Sequence, residues 1–440
     1  MNADALEQEM TSTTPSRPAH IAVLNIPAHG HVNPTLGIVA ELVRRGHRVS
    51  YAVPEEFGPQ VRAAGARLVP YETTLPASDR VEEWPSDDPV AMLGLALNEA
   101  VSILPGQLRT FDADPPDLVL HDFGALTGRL LAHRYAVRCV CLSSTHVSSA
   151  SPQERKARQT MFESLFHDDP RWHAYTKGFR KLLDDAGIGL PVDDYTGLPE
   201  RCLVPIPRFF QVNGELVDGR YAFVGPCLGR ASLQDRWQAP PDAPVLLVAL
   251  GTAGSDRPEF YRRCVEAFTG TRWHLVMSTG RLDPAVLGPL PGNVETYPSV
   301  PQLQVLARAT AFVTHAGMGS VLEAMHHGVP MVAVPQVNDQ PVNAARIAEL
   351  GIGRHLSEGE ATASALREAV LSVASDPLVA RRVAETRSRM RGLGGARAAA
   401  DLIESQLPDG NGAWQELARC LEFAEGHGEA DRAAYGRTAD

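Results

Sequence analysis

The stretch AFVTHAGMGSVLEAMHHGVPMVAVPQVNDQPVN, Ala311 to Asn343, decides the fold. Ala311-Phe312-Val313 is a short apolar run of the kind that forms a buried parallel strand. Thr314 to Ser320 turns the chain through two glycines. Val321 to His327 has helical spacing, and Gly328 stands where a helix takes its C-terminal glycine. Met331 to Val334 is the next strand, and Asn338-Asp339-Gln340 lies on the loop beyond it. A strand, a glycine turn and a helix N-terminus make an anion site. The glycines admit close approach of the backbone, and the first helical turn has unpaired N–H groups. Phosphate is the anion these features fit. His315 adds a donor, Glu323 can accept from a ribose diol, and the carboxylate and amide of Asp339 and Gln340 suit sugar hydroxyls.

Outward from this stretch the chain reads as two α/β series. His20 to Ile26 is an apolar strand. Pro27 to Pro34, containing His29, Gly30 and His31, reads as a loop, and Thr35 to Arg45 as an amphipathic helix closed by Gly46. Strands at Arg48 to Val53 and Arg67 to Tyr71 flank a helix over Glu55 to Ala64. This β-α-β-α-β start predicts a doubly wound parallel sheet. The first turn lacks G-x-G-x-x-G, which counts against a dinucleotide site there. Asp117 to Asp122 is a further strand ending in a carboxylate, and Arg138 to Leu142 another. Residues 143–189 leave the β-α rhythm. Phe162, Phe166 and Trp172 in that excursion either line a pocket for an apolar substrate or close the domain core. Residues 225–243 read as a linker, and Val245 opens the second series. The division is a disordered leader over 1–18, a first domain over 19–224, a second over 244–376, helices over 377–406 and a loose tail over 407–440. One short helix is expected in that tail, over Trp414 to Ala424.

Composition narrows the function. A chain of 440 residues with a net charge of −11 and no basic cluster is not built for nucleic acid. Six cysteines show no CxxC or Cys/His spacing, which argues for a reducing cytoplasm and against structural zinc. Met1 to Ala19 has no apolar core of a signal peptide, and no run approaches the ~20 apolar residues of a membrane span.

The ordered string Thr314, His315, Gly317, Ser320, Glu323, Gly328-Val329-Pro330, Asp339-Gln340 and Asn343 resembles the donor signature of family 1 nucleotide-sugar glycosyltransferases. His29-Gly30-His31-Val32-Asn33-Pro34 and Leu118 to Asp122 resemble the first-domain motifs of bacterial macrolide glycosyltransferases, above all the antibiotic-glucosylating enzymes of streptomycetes. The resemblance covers about residues 20 to 405. It implies a GT-B fold, with the acceptor bound by the first domain and the nucleotide sugar by the second. It also implies helices over 377–406 that cross back to the first domain. A hydroxyl attacking an anomeric carbon must lose a proton. The expectation is therefore an inverting, metal-independent hexosyltransferase with His29 as general base, held by Asp122 as in a hydrolase triad, while His31 and His121 are structural. Thr252, Val300, Gln302, His315, Gly317, Gly319, Ser320 and Glu323 are expected to hold a UDP-sugar, and Asp339 and Gln340 its hexose, with glucose favoured. No cofactor or metal is expected, since no Asp-x-Asp pair stands where an ion would bridge the phosphates. The acceptor is expected to be a hydrophobic small molecule such as a macrolide or phenolic, and the assembly a monomer or homodimer. Relatives carry Trp where this chain has Ser299, which opens the choice between uridine and thymidine. Rival readings are a dTDP-deoxysugar transferase, a nucleotide-sugar 2-epimerase and a non-catalytic binding protein.

Overall fold

The computed structural model describes residues 18–77, 80, 83–229, 237–251 and 256–425, and the structural statements below concern these. The expected leader therefore lies outside them, apart from Pro18, as do part of the linker and the end of the tail. In chain order the first domain contains β1 (His20–Leu24), α1 (His29–Arg44), β2 (Arg48–Ala52), α2 (Gly58–Ala63), β3 (Arg67–Val69), α3 (Pro89–Ala113), β4 (Leu118–Asp122), α4 (Thr127–Arg134), β5 (Arg138–Leu142), α5 (Pro152–Phe166), α6 (Pro170–Asp185), α7 (Val192–Thr196), β6 (Cys202–Val204) and β7 (Tyr221–Phe223). The second contains β8 (Val245–Ala249), α8 (Pro258–Phe268), β9 (His274–Ser278), β10 (Val294–Tyr297), α9 (Gln302–Leu306), β11 (Ala309–Thr314), α10 (Met318–His327), β12 (Met331–Ala333), α11 (Gln340–Glu349), β13 (Gly353–His355) and α12 (Ala363–Ser375). Three helices close the chain: α13 (Pro377–Arg391), α14 (Gly395–Glu404) and α15 (Trp414–Ala424).

Among the described residues the first sheet has the order β3-β2-β1-β4-β5-β6-β7 and the second β10-β9-β8-β11-β12-β13. Every pairing is parallel. Both faces of such sheets are covered, so the central strands read as continuous apolar runs, and β1, β4 and β8 are buried at every position. Strand order reverses direction beside β1 in the first sheet and beside β8 in the second. Ligands of open α/β sheets bind at such points, beyond the strands' carboxyl ends.

Three sequence expectations need correction. The first helix does not wait for Thr35: α1 starts at His29 and carries Pro34 inside it. The missing proline N–H costs one intrahelical bond, and burial of Val32, Thr35, Ile38, Val39 and Leu42 outweighs it. Second, α3 is 25 residues long and apolar enough, by length and composition, to cross a membrane. In this fold it is a wall of the first domain, burying Val90, Leu97, Ala100, Ile103 and Phe111. Third, the tail is not loose up to residue 425. Trp414 is fully buried in the first domain's core with Leu407 and Ala418.

The chain returns to the first domain through α14, whose Ala398, Ala399, Leu402 and Ile403 enter the same core. Arg45 at the end of α1 ties the return, reaching Asp401 at 2.6 Å and Glu404 at 2.7 Å. We predict that Trp414→Ala lowers unfolding free energy by about 3–5 kcal/mol, the usual cost of emptying a buried aromatic site. Denaturant titration checks this. A loss below about 1 kcal/mol would mean that α15 does not dock as described.

Candidate active site

Pairing of β1 with β4 sets Leu24 opposite His121, so the chain segments leaving these two strands are neighbours. One turns into α1, whose third residue is His31. The other ends in Asp122, which is buried. His31 Nδ1 donates to Asp122 Oδ2 at 2.8 Å, and Asp122 Oδ1 accepts from the Gly124 amide at 2.9 Å. An ionised carboxylate only accepts, so the proton sits on Nδ1 and the Nε2 lone pair is the reactive one in the neutral ring. Burial pulls the His31 pKa down. The charge and hydrogen bond of Asp122, with a contribution from Asp339, outweigh burial and leave it above the usual 6.5.

The pair is therefore His31–Asp122 and not the expected His29–Asp122. Starting the helix at residue 29 puts His29 in the first turn, where its ring lies 5.0 Å from that of Phe57. His121 is buried, and its Nδ1 lies 3.0 Å from the Asp122 carbonyl oxygen, a structural bond as expected. Asn25, buried at the end of β1, donates from one amide nitrogen to the His31 carbonyl at 3.0 Å and to Tyr51 Oη at 2.9 Å. Thr35 Oγ1 meets the same phenol at 2.6 Å. This polar knot fixes the start of α1 beneath His31, and sequence reading missed it because Asn25 and Tyr51 sit in apolar strand patterns.

The second half-site is the turn after β11. Ala316 adopts φ 63°, a left-handed conformation uncommon outside glycine, and Gly317 caps α10. The His315 ring is wedged between Gly251 and Gly317, where a Cβ would lie 2.6 and 2.3 Å from Nε2. A side chain at either position would displace the ring. Burial pushes the His315 pKa down to about 4, so the imidazole is a neutral donor. The first-turn amides of Met318, Gly319 and Ser320 face the same turn. Beside them, Gln302 Nε2 donates to Ser320 Oγ at 3.1 Å and to Glu323 Oε2 at 2.6 Å, joining α9 to α10. Burial raises the Glu323 pKa, opposed by that bond from Gln302. Val300 is half-buried against the core, Ser299 is exposed, and the Tyr297 hydroxyl donates to Glu295 at 2.8 Å. Thr252 lies outside the described residues.

Asp339 joins the halves. Its Oδ2 accepts from Asn343 Nδ2 at 2.9 Å and, across the cleft, from Thr145 Oγ1 at 3.2 Å. Its field reaches both His31 and His315. Gln340 Oε1 accepts from the amides of Gln336 and Val337 at 2.9 and 3.2 Å, so its carbonyl oxygen shapes the loop while the amide nitrogen is the group available to a ligand. A cavity of about 200 Å³ opens beside the pair, lined by Phe123, Ser143, Thr145, Val147, Cys202 and Tyr221 among others. The Phe123 ring lies 5.6 Å from that of His31. Phe162, Phe166 and Trp172 are not among the lining residues. They pack on one another at centroid distances of 4.6 and 5.4 Å, and Trp172 continues onto Tyr175. These half-buried rings join α5 to α6.

Two parallel-sheet domains, with a His–Asp pair at one switch point and a glycine-turned helix N-terminus at the other, define the GT-B glycosyltransferase architecture. Residues 275–392 match the family model described as the erythromycin biosynthesis protein CIII-like C-terminal domain. The chain is 44% identical to the oleandomycin glycosyltransferase of Streptomyces antibioticus over 90% of its own length and 93% of that protein's. It is 38% identical to an NDP-glycosyltransferase of Bacillus subtilis, covering 88% and 97% of the two chains. The crystal structure of the glycotransferase of kitacinnamycin superposes with a TM-score of 0.81 at 42% identity, covering 89% of this chain and 100% of that one. The chain belongs to this family of GT-B glycosyltransferases of the macrolide and natural-product type.

We predict that the acid limb of the pH–rate profile has a midpoint above 6.5, since a base at His31 must be neutral to act. In Asp122→Asn both contributions of Asp122 are gone and only that of Asp339 opposes burial, so the limb moves to lower pH. The plateau should fall roughly 10²–10⁴-fold as the amide loses control of the tautomer. An unchanged profile in that variant would separate the pair from the reaction.

Proposed function

We propose that this enzyme moves a hexose, glucose in the first instance, from a UDP-sugar to a hydroxyl of a hydrophobic natural product, inverting the anomeric carbon without a metal. The observation that carries this reading is Asp339. One carboxylate on the second domain is hydrogen-bonded across the cleft to the wall of the first-domain cavity, and its field reaches the histidines of both half-sites. An acceptor hydroxyl in the cavity beside Phe123 gives its proton to His31 Nε2 as its oxygen attacks the anomeric carbon. Asp122 holds the ring in the required tautomer and stabilises the imidazolium. The departing nucleoside diphosphate gathers negative charge against the amides at the start of α10 and the neutral His315. Attack from the face opposite the diphosphate turns an α-linked donor into a β-glycoside. Glu323 takes the ribose diol, and Asp339 with the Gln340 amide takes sugar hydroxyls. Charge-assisted bonds of this kind contribute about 1.5–3 kcal/mol each. They favour a fully hydroxylated hexose over a dideoxysugar, because the latter strands a carboxylate.

The base is the open choice. Exposed Ser299 offers no aromatic face, and the Tyr297 hydroxyl is already committed to Glu295. A dTDP-sugar is therefore the second reading.

The test follows release of nucleoside diphosphate from UDP-glucose, dTDP-glucose and a dTDP-dideoxysugar, with a panel of macrolides and phenols and with EDTA present. We expect turnover of UDP-glucose to survive chelation. His31→Ala should lose at least about 100-fold in turnover with an alcohol acceptor, and His29→Ala less than about 10-fold. A larger loss in His29→Ala than in His31→Ala would return the base to His29. Preference for the dideoxysugar would remove Asp339 and Gln340 from the role given to them.

A further inference from the structure

The floor of the cavity beside His31 is a row of three side chains, one from each of three adjacent strands. Register sets Cys141 of β5 opposite Cys202 of β6, and Cys202 opposite Tyr221 of β7. Residues in register on parallel strands, roughly 4.8 Å apart, point their side chains to the same face. All three line the cavity, together with Phe123, Val147 and Pro199. Two thiols thus stand side by side under aromatic and aliphatic walls. Neither is oxidised in a disulfide. Each donates weakly to a carbonyl, Leu142 at 3.8 Å and Leu203 at 3.7 Å, and the two thiols also contact each other.

Cys202 is not a reactive cysteine of the usual kind. Burial and the adjoining Cys141 thiol hold the Cys202 pKa well above the ordinary thiol range. Alkylating agents and peroxide attack through the thiolate and will be slow here. What a pair of adjacent thiols suits is a trivalent centre that binds both at once and takes their protons away with its own leaving groups. The lining suits an aryl substituent on that centre: it includes the rings of Phe123 and Tyr221, and about 200 Å³ is the space of a single aryl group.

We propose that Cys141 and Cys202 form a dithiol site that captures a trivalent aryl arsenical, filling the cavity and shutting out the acceptor. In the step, an aryl arsenous acid loses two hydroxyls. Each leaves as water with the proton of one thiol, and two As–S bonds replace two As–O bonds. Arsenic stays trivalent, and no electrons are exchanged. The site rests on strand register and cavity shape. Only the loss of transfer activity rests on the proposed reading of the cavity as the acceptor site.

The test incubates the full chain with phenylarsine oxide and reads intact mass. We expect one adduct per chain, with two protein hydrogens lost, reversed by a dithiol and resistant to an equal concentration of a monothiol. Peptide mapping of the wild-type adduct should place the bridge on Cys141 and Cys202. Cys141→Ser and Cys202→Ser should each weaken capture at least 10-fold, while Cys420→Ser, at an exposed site, leaves it unchanged. No adduct, or a bridge that maps to Cys139 or any other cysteine, would overturn the proposal even if a serine variant failed to fold. The labelled enzyme should lose at least 10-fold in sugar transfer while still binding nucleoside diphosphate. Full adduct formation with transfer unchanged would leave the dithiol in place and remove the cavity from the acceptor's path.

Discussion

The hydrogen bond from His31 to Asp122 depends on one feature of topology, the placement of β4 directly beside β1. Residues 31 and 122 are 91 positions apart in the chain. They meet because a right-handed crossover brings β4 back to the central strand, and both strands end at the same edge of the sheet. The bond also sets the chemistry. A histidine alone at a helix start titrates near its ordinary value with either nitrogen protonated. Asp122 raises the pKa and fixes the proton on Nδ1, leaving Nε2 as the basic nitrogen of the neutral ring. The knot of Asn25, Tyr51 and Thr35 below keeps the ring from following the carboxylate elsewhere.

The second domain supplies the complementary half. Its glycine turn gathers amide donors and a neutral imidazole at the switch point of its own sheet, the place the proposed reaction gives to the diphosphate. The halves are built on separate sheets, and one apolar cluster spans both. They communicate through Asp339, Asn343, Thr145 and His146, with His146 Nε2 3.0 Å from Asn343 Oδ1. In the proposed reaction these same residues separate the donor sugar from the acceptor cavity, so their hydrogen bonds bear on both substrates.

Much of this is legible in the sequence, for identifiable reasons. The turn at Ala311–Ser320 reads correctly because strand, glycine and helix signals fall in one short window. Asp122 reads correctly because an apolar run ends abruptly in a carboxylate. Four short strands, β6, β7, β10 and β13, escape because three or four residues carry no periodicity of their own. They form by pairing at or near the sheet edges, β10 beside β9, β13 beside β12, and β6 and β7 beyond β5. The expectation for His29 rests on placing Pro27 to Pro34 in a loop. The helix α1 starts at His29 instead, with Pro34 in its sixth position, where one lost backbone bond is offset by the buried face. Moving the helix start forward by six residues changes which histidine faces Asp122. The aromatic run in residues 162–179 leaves two alternatives open in the sequence for a different reason. Side-chain type does not distinguish a pocket wall from a packed helix pair, and here Phe162 and Phe166 found partners in Trp172 and each other.

The central claim is the protonation state of one ring, and nitrogen NMR of the histidine-labelled enzyme reads it directly. Across pH 5 to 9, the account predicts that His31 titrates with a midpoint above 6.5. Its neutral form should carry the proton on Nδ1, and the midpoint should fall when Asp122 is replaced by Asn. Observation of the Nε2–H tautomer at His31, or of a midpoint insensitive to residue 122, would contradict it.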